Sequence, residues 1–495
     1  MLRHDQLSQR FAKIFRIHES IAILNWDQAV VMPRGSIESR AEQLATLTQL
    51  AHDILASPET SDLIETAMSA APSDDFQAAN HRLMHRAYMR ATALDSDFAA
   101  YRARVCAHAE VAWREARAEG QYDIFLPHIE RVVGVVQQSS LALSSALNLK
   151  PYDVLLDEYQ PGLREDAIEP LFGELLEALP SRLDAAIANN PQYQGQPFPV
   201  PAAKQEVIFK SLMARLGFDF DHGRLDESTH PFCGGVYADH RVTTRYDAMD
   251  ITSGLMGILH ETGHALYEAG LPKEWISQPV GQSHGMLIHE SQSLFVEMQI
   301  CRSPAFLSFL SQVLIEGLGN DLAWDKANLE HCYRQVARSL IRVDADEVTY
   351  PLHVIQRYRL ERALLANDLM PSDLPGAWSD MANEILGVRP DNDREGCLQD
   401  IHWSHGIFGY FPCYTLGALF AAQLARQIRL DLGEFEQSLQ SGDFVEIIGW
   451  LRNRVHSRAS ALELDDLVLQ STGTVLGTAD FLAHLDNRYL RTAHA

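Results

Sequence analysis

Cysteine is scarce in this chain of 495 residues, and the six that occur (Cys106, Cys233, Cys301, Cys332, Cys397 and Cys413) show no paired spacing of the kind a disulfide framework needs. Positive charge is in deficit: 41 Lys and Arg against 66 Asp and Glu leave a net charge of −25, which argues against nucleic acid and anionic membranes as partners. The first residues, Met1-Leu2-Arg3-His4-Asp5-Gln6, lack an apolar signal region, so reduced thiols and a cytoplasmic location are expected. No Gly/Ser-rich linker or low-complexity stretch divides the chain. One catalytic unit over 1–495 is therefore expected, with a lid-like helical subregion at 1–200 and a metal-binding subregion at 201–495. What is present is ordinary globular composition, 46% hydrophobic and 22% charged.

Against that background one pentapeptide carries chemistry: His260-Glu261-Thr262-Gly263-His264. Residues four apart share a helix face, so the two imidazoles converge on one cation while Glu261 stands beside them, able to work on a water there. The flanks Leu255, Met256, Leu259 and Leu266 favour a helix, and Gly270 followed by Pro272 predicts where it stops. With 21 histidines in the chain, a chance match of this pattern is expected in roughly one such sequence in twenty or fewer.

A catalytic zinc ion needs a third protein ligand and an open position. The extended metzincin pattern is absent, because Tyr267 and Gly270 stand where glycine and histidine would be required. Glu268 lies about 6 Å of helix rise beyond His264, on the same helix, and does not close a tetrahedron with the histidines. Glu274 follows the Gly-Leu-Pro break too closely to fold back. Glu290 opens a second helical run after a turn-rich link (Ser277-Gln278-Pro279-Val280-Gly281), and an antiparallel helix there brings its carboxylate to the cation. Glu290 is the expected ligand, with Glu297 as its supporting residue or fallback.

The remaining helical periodicity covers residues 36–56, 76–120, 123–148, 164–189 and 204–216, with a proline-rich loop at 191–201. Residues 233–237 and 241–246 read as a hairpin, with Ala238-Asp239-His240 as the turn, whose edge suits an extended peptide. The fold class expected is an all-α zincin with a deep substrate groove and one small hairpin or sheet near the active site.

A series of tags in fixed order is similar to the carboxypeptidase Taq family of metallocarboxypeptidases along nearly the whole chain. The tags are Trp26-Asp27-Gln28 with Met32-Pro33, Arg40 and Gln43; Leu156-Asp157-Glu158-Tyr159 with Pro161-Gly162; His230-Pro231-Phe232; and Asp239 to Thr244. Beyond the metal segments come Ile341-Arg342-Val343-Asp344-Ala345-Asp346 and Gly396 to Trp403. The resemblance implies release of single residues from peptide C-termini with broad specificity, one divalent ion per chain (Zn²⁺, with Co²⁺ or Mn²⁺ as substitutes) and a homodimer. It also implies Arg342 as reader of the terminal carboxylate, with Arg241 second, a fork geometry that suits a carboxylate. His230 and His402 are expected to line the cleft, and Asp346 and Gln399 to be scaffold.

The chemistry then follows. Two imidazoles and a carboxylate lower the pKa of a water on their cation to about 7. Glu261 takes its proton and passes it to the leaving amine. By analogy with related helical zinc peptidases, a tyrosine assists the oxyanion, Tyr414 ahead of Tyr410. The alternatives are a dipeptidyl carboxypeptidase or oligoendopeptidase on the same scaffold, and a non-catalytic helical binding protein stabilised by a metal. Glu261, which ligates nothing, argues against the last.

Overall fold

The computed structural model describes residues 3–191, 199–228 and 231–490, the side chains of residues 3 and 4 excepted. It is dominated by 20 α-helices, with one three-stranded sheet among the described residues. Close contacts divide the chain into two compact units, each drawn from three separate stretches. Unit 1 comprises Met1–Ala91, Pro191–Tyr333 and Phe420–Leu476; unit 2 comprises Thr92–Asn190, Arg334–Leu419 and Gly477–Ala495. This division does not follow a cut at residue 200.

In unit 1 the helix Arg3–Val30 packs on Ile37–Leu55, on Pro58–Ser69 and along the sheet. The sheet consists of β1 (Gly223–Glu227), β2 (Phe232–Val236) and β3 (Asp239–Thr244) in the order β1-β3-β2, with β2 antiparallel and β1 parallel to β3. The hairpin expected from sequence is β2–β3. The parallel strand β1 escaped notice because Gly-Arg-Leu-Asp-Glu buries only Leu225 and so has no alternating apolar pattern. The helix expected over 76–120 is in fact two, Asp75–Thr92 and Ser96–Glu119, because Asp95 turns out of helical conformation and caps the second by accepting from the Phe98 N–H at 2.8 Å.

The helix Ile251–Ala269, called the metal helix below, starts at Asp250, whose carboxylate accepts from the Thr252 N–H, and ends at Gly270 as its sequence predicts. Gly254, Gly257 and Gly263 lie inside it, each costing about 1 kcal/mol of helix propensity. Burial outweighs them, since Leu255, Met256, Ile258, Leu259 and Leu266 are all buried and each contributes about 1.5–3 kcal/mol. A link with two short 3₁₀ turns leads to the helix Met286–Leu294, which widens into a π-helical segment, Phe295–Cys301.

Unit 2 pairs Ser96–Glu119 with Tyr122–Leu147 and adds Pro151–Tyr159, Glu165–Ala188 and Leu374–Ile385 around the helix Tyr350–Ala366. That central helix is buried nearly all round, and it carries His353, Arg357 and Glu361 in its interior-facing positions. The segment Gly477 onward is fastened by Glu347, which is 1% exposed and pairs with Arg488 Nη1 at 2.6 Å and His484 Nε2 at 2.6 Å. No disulfide joins any of the six cysteines, and among the described residues no helix is long and apolar enough to cross a membrane.

A buried carboxylate stripped of its guanidinium is expensive. Arg488→Met is therefore expected to destabilise the protein by about 3–5 kcal/mol, read as a lowered urea midpoint. A shift below about 1 kcal/mol would show that Glu347 finds other compensation.

Candidate metal centre

The metal helix and Met286–Leu294 run antiparallel, and their approach is set at Gly263. A Cβ built there would lie 2.6 Å from Ser293 Cα and 2.7 Å from the Gln292 carbonyl oxygen, so main chain meets main chain with no room for a methyl. Because the helices oppose one another, ascending positions of the first meet descending positions of the second. His260 faces Glu297, His264 faces Glu290 and His289, and Glu268 faces His289.

Three donors converge. His260 Nε2 lies 3.8 Å from one Glu290 oxygen and His264 Nε2 lies 3.5 Å from the other, and one ligand atom from each residue falls within 4.8 Å of the rest. Bond lengths near 2.0–2.1 Å imply donor separations of about 3.3 Å around a tetrahedral zinc ion, so modest tightening suffices. The set fits a divalent cation.

The distal nitrogens of the histidines are fixed as well. His260 Nδ1 is 2.8 Å from Glu297 Oε2, an acceptor, so it carries the proton and leaves Nε2 as a lone-pair donor. Arg302 Nη2 holds the other Glu297 oxygen at 2.6 Å. On the second histidine, His289 Nε2 donates to Glu268 at 2.8 Å, which leaves His289 Nδ1 to accept, at 2.6 Å, from His264 Nδ1. Glu268 thereby sets the tautomer of His289, and His289 that of His264. Sequence reading found Glu297 in its supporting place but missed His289 and Glu268. The available signals were that Glu268 is four residues beyond His264 on one helix face and that His289 adjoins Glu290.

Electrostatics agree with a cation. Burial lowers the pKa of His260, but the Glu297 hydrogen bond and the charges of Glu290 and Glu297 override it and raise the group to about 10. Burial raises Glu297, yet Arg302 and His260 pull it to about 2. Burial likewise raises Glu290, but the neighbouring His264 and His260 outweigh it and leave it below the usual carboxylate range. Burial, followed by the neighbouring His289, keeps His264 neutral. Protein alone puts a proton on His260 to answer this negative field, and a divalent ion answers it better. Glu261, half-buried, forms no hydrogen bond or ion pair with the described residues.

The remaining residues singled out from sequence fall in two places. Within unit 1, Arg241 is committed to Asp239 (Nη2 to Oδ2, 2.7 Å) and stacks on Trp26 with its guanidinium 4.3 Å from the ring centre. Its neighbourhood is thus structural, tying the hairpin to the N-terminal tag, in which Arg40 also grips Asp27 at 2.6 Å. His230 lies outside the described residues.

Within unit 2, Arg342, Tyr410, Tyr414 and His402 do come together. Asp400 sits between two arginines, Arg342 Nε at 2.9 Å and Arg357 Nε at 2.6 Å. Burial works to raise its pKa, but the two guanidiniums outweigh that and hold it far below the carboxylate range. The Arg342 guanidinium lies 4.8 Å over the Tyr414 ring, and the Tyr414 hydroxyl is 3.2 Å from His402 Nε2. The rings of Tyr410 and Tyr414 are 5.1 Å apart. Burial, with help from Arg342 and Arg357, lowers His402 to about 4, so it is neutral at ordinary pH. Gln399 accepts from the Arg342 N–H at 2.9 Å and Asp346 from the Val348 and Thr349 N–H groups, which makes both scaffold as expected.

Residues 6–489 match the family model described as Carboxypeptidase Taq (M32) metallopeptidase. The chain belongs to that family. It is 37% identical over 487 residues to thermostable carboxypeptidase 1 of Thermus thermophilus, covering 94% of both chains, and 33% identical over 485 residues to carboxypeptidase 1 of Bacillus subtilis, covering 96% of both. Among solved structures it is similar to Trypanosoma cruzi metallocarboxypeptidase 1 (TM-score 0.96, 35% identity, 99% of each chain) and to the Pyrococcus furiosus carboxypeptidase (TM-score 0.95, 30% identity, 99% of each chain). This M32 protein is accordingly a metallocarboxypeptidase, a peptide hydrolase that requires a divalent metal.

Two substitutions probe the centre without touching a donor. Gly263→Ala is expected to weaken metal binding by about tenfold or more, because main-chain atoms must retreat. Glu297→Gln is expected to cost about 10–100-fold in affinity by loosening His260. Metal titration followed by calorimetry measures both, and wild-type affinity in Gly263→Ala would mean that the helix contact does not set the donor spacing.

Proposed function

We propose that the protein removes single residues from peptide C-termini at a centre in which His260, His264 and Glu290 hold the metal and Glu261 is the general base. The observation that carries this reading is the convergence of three donors, two of them histidines whose tautomers are fixed from behind, next to a carboxylate that no described side chain engages. The bound ion would supply Lewis acidity and lower the pKa of water to about 7. Zn²⁺ suits the donor set best, with Co²⁺ or Mn²⁺ as substitutes.

Glu261 takes the proton of the attacking water and returns it to the departing amine. Tyr414 donates its hydroxyl to the developing oxyanion, and His402 Nε2, 3.2 Å away, orients that hydroxyl. Tyr410 shapes the wall beside it. Arg342 reads the terminal carboxylate: Asp400 holds its Nε and Nη2, which fixes the guanidinium in place and leaves Nη1 with no hydrogen-bond partner among the described residues. His230, His402 and Arg241 are assigned to substrate positioning, with Arg241 the weakest of these because Asp239 and Trp26 already engage it. Specificity toward the released side chain is broad, the assembly is a homodimer and the location is cytoplasmic; family membership and the acidic, disulfide-free chain support these readings.

Glu261→Gln is expected to keep full metal content and lose most turnover, whereas Glu290→Ala is expected to lose the metal itself. Full occupancy in Glu290→Ala would move the ligand role elsewhere. For the chain end, amidated peptides are expected to be poor substrates beside the free acids, with one residue released per event. Equal cleavage of both forms, or release of dipeptides or internal fragments, would favour the alternatives.

Tyr414→Phe is expected to lower kcat by about 10²-fold with little change in KM, since the phenol acts after water attack. A silent Tyr414→Phe beside a crippled Tyr410→Phe would exchange their roles.

A further inference from the structure

Unit 1 contains a cavity of roughly 450 Å³ between the helix Arg3–Val30 and the edge of β2. Its walls are apolar, with Phe11, Ile14, Phe15, Leu55 and Val236 facing inward. One side is main chain: β2 pairs only with β3 among the described residues, so its outer edge has no strand partner, and at Gly234 the one neighbouring side chain within 4 Å of a Cβ position is the Phe232 ring. The size falls in the range of small-molecule and peptide side-chain sites.

The cavity reaches the metal centre's supporting residues. Glu268 and His289 form part of its lining, and His289 touches His264 at 2.6 Å. Cys233, also in the lining and half-buried, has its thiol pKa raised by desolvation and then by the charges of Glu261 and Glu268. One end of the cavity therefore lies beside the residues that support the metal donors.

Charge fixes which part of a peptide enters. The lining includes Glu19 and Glu268 but neither lysine nor arginine, and burial keeps His240 neutral. A free C-terminal carboxylate is repelled there. The neutral body of the peptide, upstream of the bond to be cut, is not.

We propose that this cavity is the subsite for large apolar side chains upstream of the scissile bond, with the peptide main chain lying along the free edge of β2. The assignment rests on the carboxypeptidase reading above and adds a selectivity that acts on residues the enzyme does not release.

The test uses the metal-loaded, full-length protein and N-blocked peptides that share one C-terminal residue and carry glycine, phenylalanine or aspartate at each of the two positions before it. Phenylalanine is expected to exceed glycine in kcat/KM by about tenfold or more at one of these positions, mostly through KM, with aspartate the poorest. Ala22→Phe and Ala87→Phe, each of which fills the cavity, are expected to bring the phenylalanine-to-glycine ratio to within about twofold of one, whereas Phe15→Ala, which enlarges it, is expected to shift preference toward tryptophan. Thermal unfolding checks that each variant folds, and the wild-type series decides the matter without them. Equal rates for all upstream residues, or an unchanged ratio in folded filling variants, would overturn the subsite while leaving the carboxypeptidase intact. Failure to release the C-terminal residue from any peptide would overturn that reading and this one together.

Discussion

The contact between Gly263 and Ser293 is the constraint on which the centre depends. Two helices brought to main-chain distance place side chains from both within reach of a single point, and long residues such as glutamate then arrive with few rotamers open to them. A wider spacing would leave Glu290 too short to meet both imidazoles. The antiparallel sense matters as much, because it lets one helix support the other twice, Glu297 behind His260 and His289 behind His264. Buttressing continues outward: His456 bonds Gln292 at 3.0 Å and fills the space where a side chain at Gly270 would stand. The helix Ile251–Ala269 is thus clamped at its middle and at its end.

Charge is distributed with opposite sense in the two units. The centre in unit 1 gathers Glu261, Glu290, Glu297 and Glu268 around histidines, a field that favours a cation. The cluster in unit 2 sets two guanidiniums against the single carboxylate of Asp400, beside a histidine kept neutral by burial. That excess of positive charge sits in a nearly dry setting, Arg342 being 7% exposed and Arg357 fully buried, where its attraction for an anion is little screened. The overall charge of −25 gives no hint of this local reversal.

Much of the centre was legible in the sequence because helical spacing is a short-range rule. His260, Glu261 and His264 follow from four-residue periodicity, the helix end from Gly270 and Pro272, and Glu290 from the need for a second helix. What escaped detection depends on tertiary contacts. The link from Glu268 through His289 to His264 spans two helices and leaves no periodic trace. The break at Asp95 was hidden by alanine- and arginine-rich flanks that favour helix on both sides. The strand β1 has one buried apolar residue, and its pairing with β3 is decided by the partner. The partners of Arg241 could not be read from its tag alone, since Trp26 lies more than 200 residues upstream and the pairing with Asp239 depends on how β3 is presented.

The interleaving of the two units has a consequence for how the chain acquires its structure. Each unit is assembled from an early, a middle and a late stretch, so neither closes its core until the last stretch has been synthesised. In unit 1 the residues that brace the helix Ile251–Ala269 and its neighbours from outside, among them His456 and the Leu462 carbonyl that binds His284, emerge well after the segments they brace. Native contacts are therefore remote along the chain, which slows folding and lengthens the time that apolar helices stand exposed. Production of the enzyme is set by this topology: a nascent chain stopped between Glu290 and Phe420 has all three donors but lacks the last stretch of the unit that holds them.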